Sequence, residues 1–398
     1  MISVGIDISK EKSTVCIMKP YGEMVCSPFE VQHTIDNLTN LAQMILKFND
    51  EVKVVMEATG VYHLPVTEIL CEYGLFVTVV NPYEMKEYAC RKIRRSKTDK
   101  QDSIVISNYG IDNWYHLKRY ENSAETYEEL KLLGRQYYHY MELHIKALQE
   151  LIHLLDYTMP GIRKLFNSWN EANGKDKLSD FAEKYWHFDN ITSMNEEEFI
   201  NDYIEWAKEK KYHQSQSKAL EVYALAKDGI PTLPSNTLST KMLILEAVKV
   251  LKNIDNTIMT ILTRMKELSK TLPEYSIVRS MGGVGEVLAS KLIAEIGDVR
   301  RFHNGKALIA YAGIDAPPYQ SGQFTGTNRK ISKRGSKTLR KVGYEVMRVL
   351  KSHPKPNDSA VYNFILKKES EGKTKKQAKI AGLNKFLRIY YARVIEIY

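Results

Sequence analysis

The hydrophobic period of this chain changes once, near residue 120, and few architectures tolerate both halves of the pattern. Before that point short β-rich runs alternate with helical ones. Ile2 to Ile8 is a strand-like run, Thr14 to Met18 follows a polar turn, and Met24 to Val31 follows Pro20-Tyr21-Gly22. Together they predict a three-stranded meander. Leu38, Leu41, Met44, Ile45 and Phe48 fall on one face of a helix. Val52 to Met56 reads as a buried strand, Leu64 to Tyr73 as a helix, and Phe76 to Val80 as a fifth strand stopped by Asn81-Pro82.

Beyond about residue 124 the steps are those of long helices. Leu130, Leu133, Tyr137, His144, Leu148, Leu151 and Leu155 keep mostly helical spacing. A polar stretch at about 160–235 with Trp169, Trp186 and Trp206 interrupts them. Ile244, Ala247, Leu251, Ile254, Ile258, Ile261, Met265 and Leu268 then alternate steps of three and four, a heptad pattern. Two such helices around an insertion predict an antiparallel hairpin or a dimer seam, with two helices of a bundle core as the plainer reading. Leu272-Pro273 closes this region, and helices are expected at Leu339 to Leu350, Ala360 to Lys368 and Lys376 to Tyr398.

A chain of 398 residues exceeds what one core usually serves. The expected division is 1–120, 121–274 with its insertion at about 160–235, and 275–398. The order β-β-β-α-β-α-β-α of the first part is that of the ribonuclease H fold. The fold class expected is therefore α/β plus α: a ribonuclease H-like domain, a helical coiled-coil linker, and a mostly helical C-terminal domain.

Four acids sit where that fold would use them. Asp7 lies inside the apolar run Val4-Gly5-Ile6-Asp7-Ile8, and Glu57 ends Val54-Val55-Met56. An uncompensated buried carboxylate costs more than the roughly 2–7 kcal/mol of a neutral polar group, so such residues are normally paired or metal-bound. Asp99 and Asp102 are spaced i, i+3, on one face of a starting helix with Thr98 as its N-cap. Cutting a phosphodiester charges both the attacking and the leaving oxygen, and two Mg²⁺ ions about 3.5–4 Å apart stabilise both. Mg²⁺, with Mn²⁺ as the alternative, takes hard oxygen ligands, which these acids supply. A lone Asp after Gly-Ile, like Glu57 alone, more often belongs to ordinary structure, and a first-turn acid pair suits any helix dipole. Their joint placement favours the metal reading.

Charge points to a polyanionic partner. The formal net charge is +9 and is concentrated in runs. Arg91, Lys92, Arg94, Arg95, Lys97 and Lys100 form one; Arg329 to Lys341 holds seven basic residues and no acidic one; Lys367, Lys368, Lys373, Lys375, Lys376 and Lys379 form a third. Any single run could be a solvated helix face, but three favour phosphate contact. Arg94, Arg95, Lys97, Arg329, Lys330, Lys333, Arg334 and Lys337 are the candidate nucleic-acid contacts. The four cysteines lack metal or disulfide spacing and read as core residues of a reducing compartment. Neither an export signal nor a run of ~18 apolar residues is present, which predicts a cytosolic, nucleoid-associated protein without a membrane partner.

At this point the blocks resemble a known family. Gly5-Ile6-Asp7-Ile8-Ser9-Lys10, Met56-Glu57-Ala58-Thr59-Gly60 and Lys97-Thr98-Asp99-Lys100-Gln101-Asp102 are similar to the three signature blocks of DEDD-type transposases of insertion sequences. The catalytic domain of that family resembles the Holliday-junction resolvase RuvC. Met281-Gly282-Gly283-Val284-Gly285, Ile293-Ala294-Glu295-Ile296-Gly297-Asp298, Tyr311-Ala312-Gly313-Ile314-Asp315, Tyr319-Gln320-Ser321-Gly322 and Ile331-Ser332-Lys333-Arg334-Gly335 extend the likeness. It covers about residues 1–115 and 275–398, and the 160–235 insertion departs from it. The resemblance implies DNA excision and insertion through a circular intermediate, on donor and target DNA. It also implies a guide RNA encoded by the element in some members, and a homo-oligomer, dimer or tetramer. A serine that becomes linked to DNA acts with the acids and maps by motif onto Ser321.

Read from its own surroundings, Ser321 is a polar turn residue followed by Gly322 and a basic stretch. Ser332, Ser336 and Tyr319 are rival nucleophiles. Gly283-Val284-Gly285 before a helix resembles a helix-hairpin-helix element, whose amides at a helix start receive phosphate; a tight interhelical turn explains the same glycines. Tyr137, Tyr138, Tyr140 and the insertion's tryptophans suit either base stacking or a core. Three other functions compete. A junction-resolving nuclease without a covalent intermediate needs only the acids. An actin-like sugar kinase would need a second α/β half. A nucleic-acid-binding scaffold would have no use for four acids.

Overall fold

Strand and helix in the first 120 residues alternate as their apolar periods require. The computed structural model describes residues 1–90, 98–120, 125–166, 174–316, 320–321, 324–325 and 330–398, and it divides into two compact units, 1–122 and 123–398. In the first, β1 (Ile2–Ile8), β2 (Lys12–Met18) and β3 (Met24–Gln32) form the antiparallel meander. Helix α1 (Ile35–Leu46) leads to β4 (Val52–Glu57), and α2 (His63–Glu72) leads to β5 (Phe76–Val80). Strand β4 runs parallel to β1, and β5 parallel to β4, giving the sheet order β3-β2-β1-β4-β5. That order, with the crossovers through α1 and α2, is the ribonuclease H topology expected above.

The two sheet faces are covered by different helices. Val4, Ile6, Val54 and Met56 point into a core with Leu38, Leu41 and Ile45 of α1 and Val66 and Leu70 of α2. Val55 and Val80, on the opposite face, pack with Met85 of α3 (Pro82–Ala89) and with Val105 and Ile106 of α4 (Asp99–Asp112). Helix α3 was not expected. Asn81-Pro82 stops β5 at Val80 as read and also caps this helix: the Asn81 side chain accepts from the Tyr83 amide at 2.9 Å, and proline occupies the first turn.

The second unit is helical. Helix α5 (Glu125–Thr158) opens it; α6 (Lys177–Lys184), α7 (Asp189–Thr192), α8 (Glu196–Glu209) and α9 (Gln216–Asp228) follow; α10 (Leu238–Lys270) returns. Helices α5 and α10 form the antiparallel hairpin: Glu129 pairs with Arg264 at 3.0 Å, and His144 Nδ1 lies 2.6 Å from Asp255 Oδ1. The buried stripe of α10 is Ile244, Val248, Leu251, Asp255, Ile258, Leu262, Met265 and Ser269. Ala247, Ile254, Ile261 and Leu268 of the expected heptads are half-buried beside it. Ile244, Leu251, Ile258 and Met265 are buried as the heptads expect, and the alternate positions move one residue on, to Val248, Asp255, Leu262 and Ser269, because α10 packs on further helices besides α5.

The insertion is a folded cap, whose Phe181, Phe199, Tyr203 and Trp206 pack with Leu151, Leu155, Ile244 and Val248 of the hairpin. At its other end the hairpin enters a separate core. That core joins α11 (Tyr275–Ser280), α12 (Glu286–Ile296), α13 (Gly305–Ala312), α14 (Lys337–Ser352), α15 (Ala360–Ser370) and α16 (Lys375–Ile395). Here Leu130, Ile258 and Met265 meet Leu292, Val346 and Phe386. Between α13 and α14 lies a short hairpin, β6 (Gln320–Ser321) and β7 (Phe324–Thr325), with Ser321 opposite Phe324. Among the described residues this unit has no second α/β half, which removes the sugar-kinase alternative.

Candidate catalytic site

Register places Asp7 beside Glu57. Ile6 is the partner of Met56 in the parallel pair, so one residue further Asp7 and Glu57 stand next to each other at the carboxyl ends of β1 and β4. Side chains alternate along a strand, so both acids share the face of Ser3, Gly5 and Val55, the face that α4 covers. A Cβ built on Gly5 would lie 2.3 Å from the Ser107 nitrogen and 2.4 Å from the Ser103 oxygen. One on Gly110 would lie 2.3 Å from Ser3 Oγ, and Ser107 Oγ donates to the Ser3 carbonyl at 2.9 Å. Moving from Ser3 to Gly5 along β1 therefore means moving from Gly110 back to Ser103 along α4. The helix runs antiparallel to the strand, and its first turn, with Asp99 and Asp102, arrives at the Asp7 end.

Local sequence explains that placement. Thr98 Oγ1 accepts from the Gln101 amide at 3.3 Å and starts the helix at Asp99, as its N-cap residue type predicts. Ser103, Ser107 and Gly110 form a stripe of small residues on the face turned to β1, and Gly5 removes the side chain that would hold the two elements apart. Lys12, tied to Glu30 at 2.6 Å, lies within electrostatic range of Asp99; its ammonium is held above the ordinary value, first by Glu30 and further by Asp99. The donors are hard carboxylate oxygens, chemically suited to a divalent cation. Among the described residues, however, no group of three or more His, Cys, Asp or Glu side chains is gathered closely enough to hold one. Topology brings the acids to one corner; it does not by itself assemble a ligand set.

The basic and serine-bearing positions fall in three groups. Arg94, Arg95, Lys97, Arg329 and Tyr319 lie outside the described residues, and Ser321 is described only as backbone of β6. Lys330, Lys333, Arg334 and Lys337 are exposed before and at the start of α14. Lys333 holds a left-handed backbone with φ of 56°. The rival serines are both engaged. Ser332 Oγ donates to Asp315 Oδ1 at 2.5 Å. Ser336 Oγ accepts from the Leu339 amide at 2.9 Å, capping α14, and donates to Glu295 Oε1 at 2.5 Å.

The glycine turn between α11 and α12 is built mostly for packing. Gly283 is buried at φ 79°, where a Cβ would meet the Val346 carbonyl at 2.7 Å. The Gly282 amide donates to Asp358 Oδ2 at 2.8 Å. Gly285, by contrast, faces open space at the start of α12, next to Glu286, which pairs with Lys270 at 2.6 Å. Tyr137, Trp186 and Trp206 are core residues, Tyr138 and Tyr140 pack against the core, and Trp169 lies outside the described residues. Cys16 is buried, and burial pushes its thiol up to about 11, as the core reading requires; Cys90 is exposed. Sequence reading missed the carboxylate partners Asp315, Glu295 and Asp358. It also missed the small-residue stripe of α4, whose i, i+4, i+7 spacing is the signal that could have found it.

Fold and site together define a class: an α/β domain of ribonuclease H topology, acidic at one sheet end, followed by a basic helical unit. Residues 4–160 match a family model described as a transposase, and residues 275–363 match one described as the transposase IS116/IS110/IS902 family. The chain belongs to that transposase family and is thus an enzyme acting on DNA. It is 24% identical over 389 residues to a pilin gene-inverting protein of Moraxella bovis, covering 98% of this chain and 94% of that one. It is 21% identical over 396 residues to a 44.8 kDa protein of insertion element IS116 of Streptomyces clavuligerus, with coverage of 98% and 94%. T. thermophilus RuvC in complex with Holliday junction substrate matches at 12% identity and a TM-score of 0.24, over 30% of this chain and 99% of that one. Among the described residues no helix is long and apolar enough to cross a membrane.

Proposed function

We propose that this transposase excises and inserts its element by strand cleavage and transfer through a covalent protein–DNA link, with Ser321 as the nucleophile. In the first step the Ser321 Oγ–P bond forms as the phosphodiester P–O bond breaks, and the serine proton passes to the departing sugar oxygen. Transfer reverses this with a new hydroxyl, so no phosphodiester energy is lost. Relatives named for inverting a gene support such bookkeeping, because inversion rejoins every strand it cuts.

Asp7, Glu57, Asp99 and Asp102 are the catalytic acids on this reading, and they are the residues that would hold Mg²⁺ or Mn²⁺. A divalent ion supplies charge stabilisation on the phosphoryl oxygens. Lys330, Lys333, Arg334 and Lys337, with Arg94, Arg95, Lys97 and Arg329, hold the DNA backbone and an element-encoded guide RNA, and Gly285 leaves open space for a phosphate to approach at the start of α12. The protein works as a homo-oligomer on paired sites in the bacterial or archaeal cytosol. The observation that carries the acids' role is the antiparallel run of α4 along β1, which delivers Asp99 and Asp102 to the corner of Asp7 and Glu57.

Asp7→Ala tests it. Strand transfer is expected to disappear while DNA binding, followed by mobility shift, is retained; full transfer in the variant would sink the assignment. Metal binding is checked separately, by titrating Mn²⁺ into the protein and the variant and reading paramagnetic broadening.

A further inference from the structure

Two carboxylates outside the acidic corner close the base of the segment that carries Ser321. The chain leaves α13 at Ala312 and returns to α14 at Ser336, and the two passes are laddered together. Ser332 N donates to the Asp315 carbonyl at 2.8 Å, Lys333 N to the Gly313 carbonyl at 3.0 Å, and Ser336 N to the Tyr311 carbonyl at 2.7 Å. Gly335 sits so tightly here that a Cβ would lie 2.4 Å from the Tyr311 oxygen and 2.7 Å from the Gly313 nitrogen. Arg340 Nη1 clamps the same place, donating to the carbonyls of Ala312 at 2.9 Å and Gly335 at 3.1 Å. The returning pass is then pinned by two serine hydroxyls on carboxylates: Ser332 on Asp315 of the outgoing pass, and Ser336 on Glu295, which belongs to α12.

We propose that Asp315 and Glu295 are positioning residues for strand transfer, fixing through Ser332 and Ser336 the neck from which the Ser321 hairpin projects. The inference rests on the reading of Ser321 as nucleophile. Its physical basis is loop closure. A loop whose ends are joined samples a smaller volume, and Asp315 and Ser332 join the ends of the one that carries β6 and β7. A nucleophile held in a near-attack position gains rate without gaining affinity. Ser336 suits the task because its one hydroxyl serves two elements, accepting from α14 while donating to α12. Burial raises the Glu295 carboxyl above its ordinary range, against the Ser336 hydrogen bond and the nearby charges of Lys131, Arg135 and Arg301. Those cations keep a carboxylate tolerable at a half-buried position. Geometry places α5 here independently, since a Cβ on Gly134 would touch that of Ala294 at 3.5 Å.

The test uses the full chain with donor and target DNA, element-end RNA and Mg²⁺. Three quantities are read: the rate of denaturation-resistant adduct at saturating DNA, the DNA dissociation constant, and deuterium uptake by the amides of 311–336. Ser336→Ala and Ser332→Ala are each expected to slow adduct formation about ten- to hundredfold. Dissociation constants should stay within about twofold, because no DNA contact is assigned to either hydroxyl. Uptake at Lys333 and Ser336 should rise. Ser336→Thr and Glu295→Gln keep a donor and an acceptor respectively, and should stay near the wild-type rate. An unchanged adduct rate in Ser336→Ala and Ser332→Ala, with or without raised uptake, would overturn the proposal. An equal loss in Ser336→Thr and Ser336→Ala would also overturn it, since the hydroxyl would then not be the active feature. Failure of the nucleophile reading has a different sign, an adduct that survives Ser321→Ala.

Discussion

Gly5 and Ser107 meet so closely that a Cβ on the glycine would stand 2.3 Å from the serine's amide nitrogen. This contact fixes β1, with Asp7, and α4, with Asp99 and Asp102, as one piece. On the proposed role of these acids, catalytic geometry depends on a residue that has no side chain.

Gly5→Ala is therefore expected to act at a distance. Overpacking of this kind costs about 1–3 kcal/mol, and the shift of α4 should abolish strand transfer. Ser107→Ala loses only its 2.9 Å hydrogen bond to the Ser3 carbonyl, a cost of about 1 kcal/mol, and should keep measurable activity. Denaturant midpoints and transfer assays on both variants check this; equal activity in the two would show that the close approach is not needed.

The turn before α12 gives a prediction about pH. Burial opposes ionisation of Asp358, but the Gly282 amide and Arg393 outweigh it and hold the carboxyl below its ordinary 3.8. A carboxylate depressed in the folded state adds stability above its unfolded value, and that stability is lost as pH falls through the folded value. Asp358→Asn should thus melt below wild type at neutral pH, and the gap should close below about pH 3.8. A gap that persists into acid would mean the charge is not what Asp358 contributes.

Lys333 separates backbone strain from charge. Its φ of 56° lies in the left-handed region, which costs a non-glycine residue about 1–2 kcal/mol. Lys333→Gly should raise stability by about 1 kcal/mol and weaken DNA binding, lowering the salt slope by roughly one. Lys333→Ala should weaken binding equally with no gain in stability. Unchanged salt slopes in both variants would remove Lys333 from the DNA contacts.

At the centre of the hairpin, His144 and Asp255 are buried together at 2.6 Å. Leaving one buried polar partner behind costs about 1–3 kcal/mol, and replacing both by apolar groups is often nearly neutral. Asp255→Leu alone should lower the unfolding midpoint, and the double change with His144→Leu should recover most of it. Additive losses would show that the two residues do not act as a pair.

Much of this was legible before any coordinates. The five strands and the order of their connections followed from period-two runs and turn residues, and Thr98 announced the start of α4. Asn81-Pro82 ended β5 as read, but the helix that it also starts went unread, because a helix start and a break share the same residues. The exact seam of α10 was not legible, because a heptad count cannot tell which further helices will cover its flanks. Pairings such as Glu295 with Ser336 join residues far apart in the chain and leave no periodic trace. Nor does sequence say whether four acids on three elements are drawn close enough for an ion. That depends on side-chain positions at a corner where like charges repel.

The central claim is that the acidic corner and Ser321 serve one reaction. The most direct test incubates the protein with element-end RNA, labelled donor and target DNA, and Mg²⁺, then looks for a denaturation-resistant protein–DNA adduct in wild type, Ser321→Ala and Asp102→Ala. The account predicts an adduct in wild type and its loss in both variants. An adduct that survives Ser321→Ala, or metal-dependent cutting with no adduct in any of the three, would contradict it.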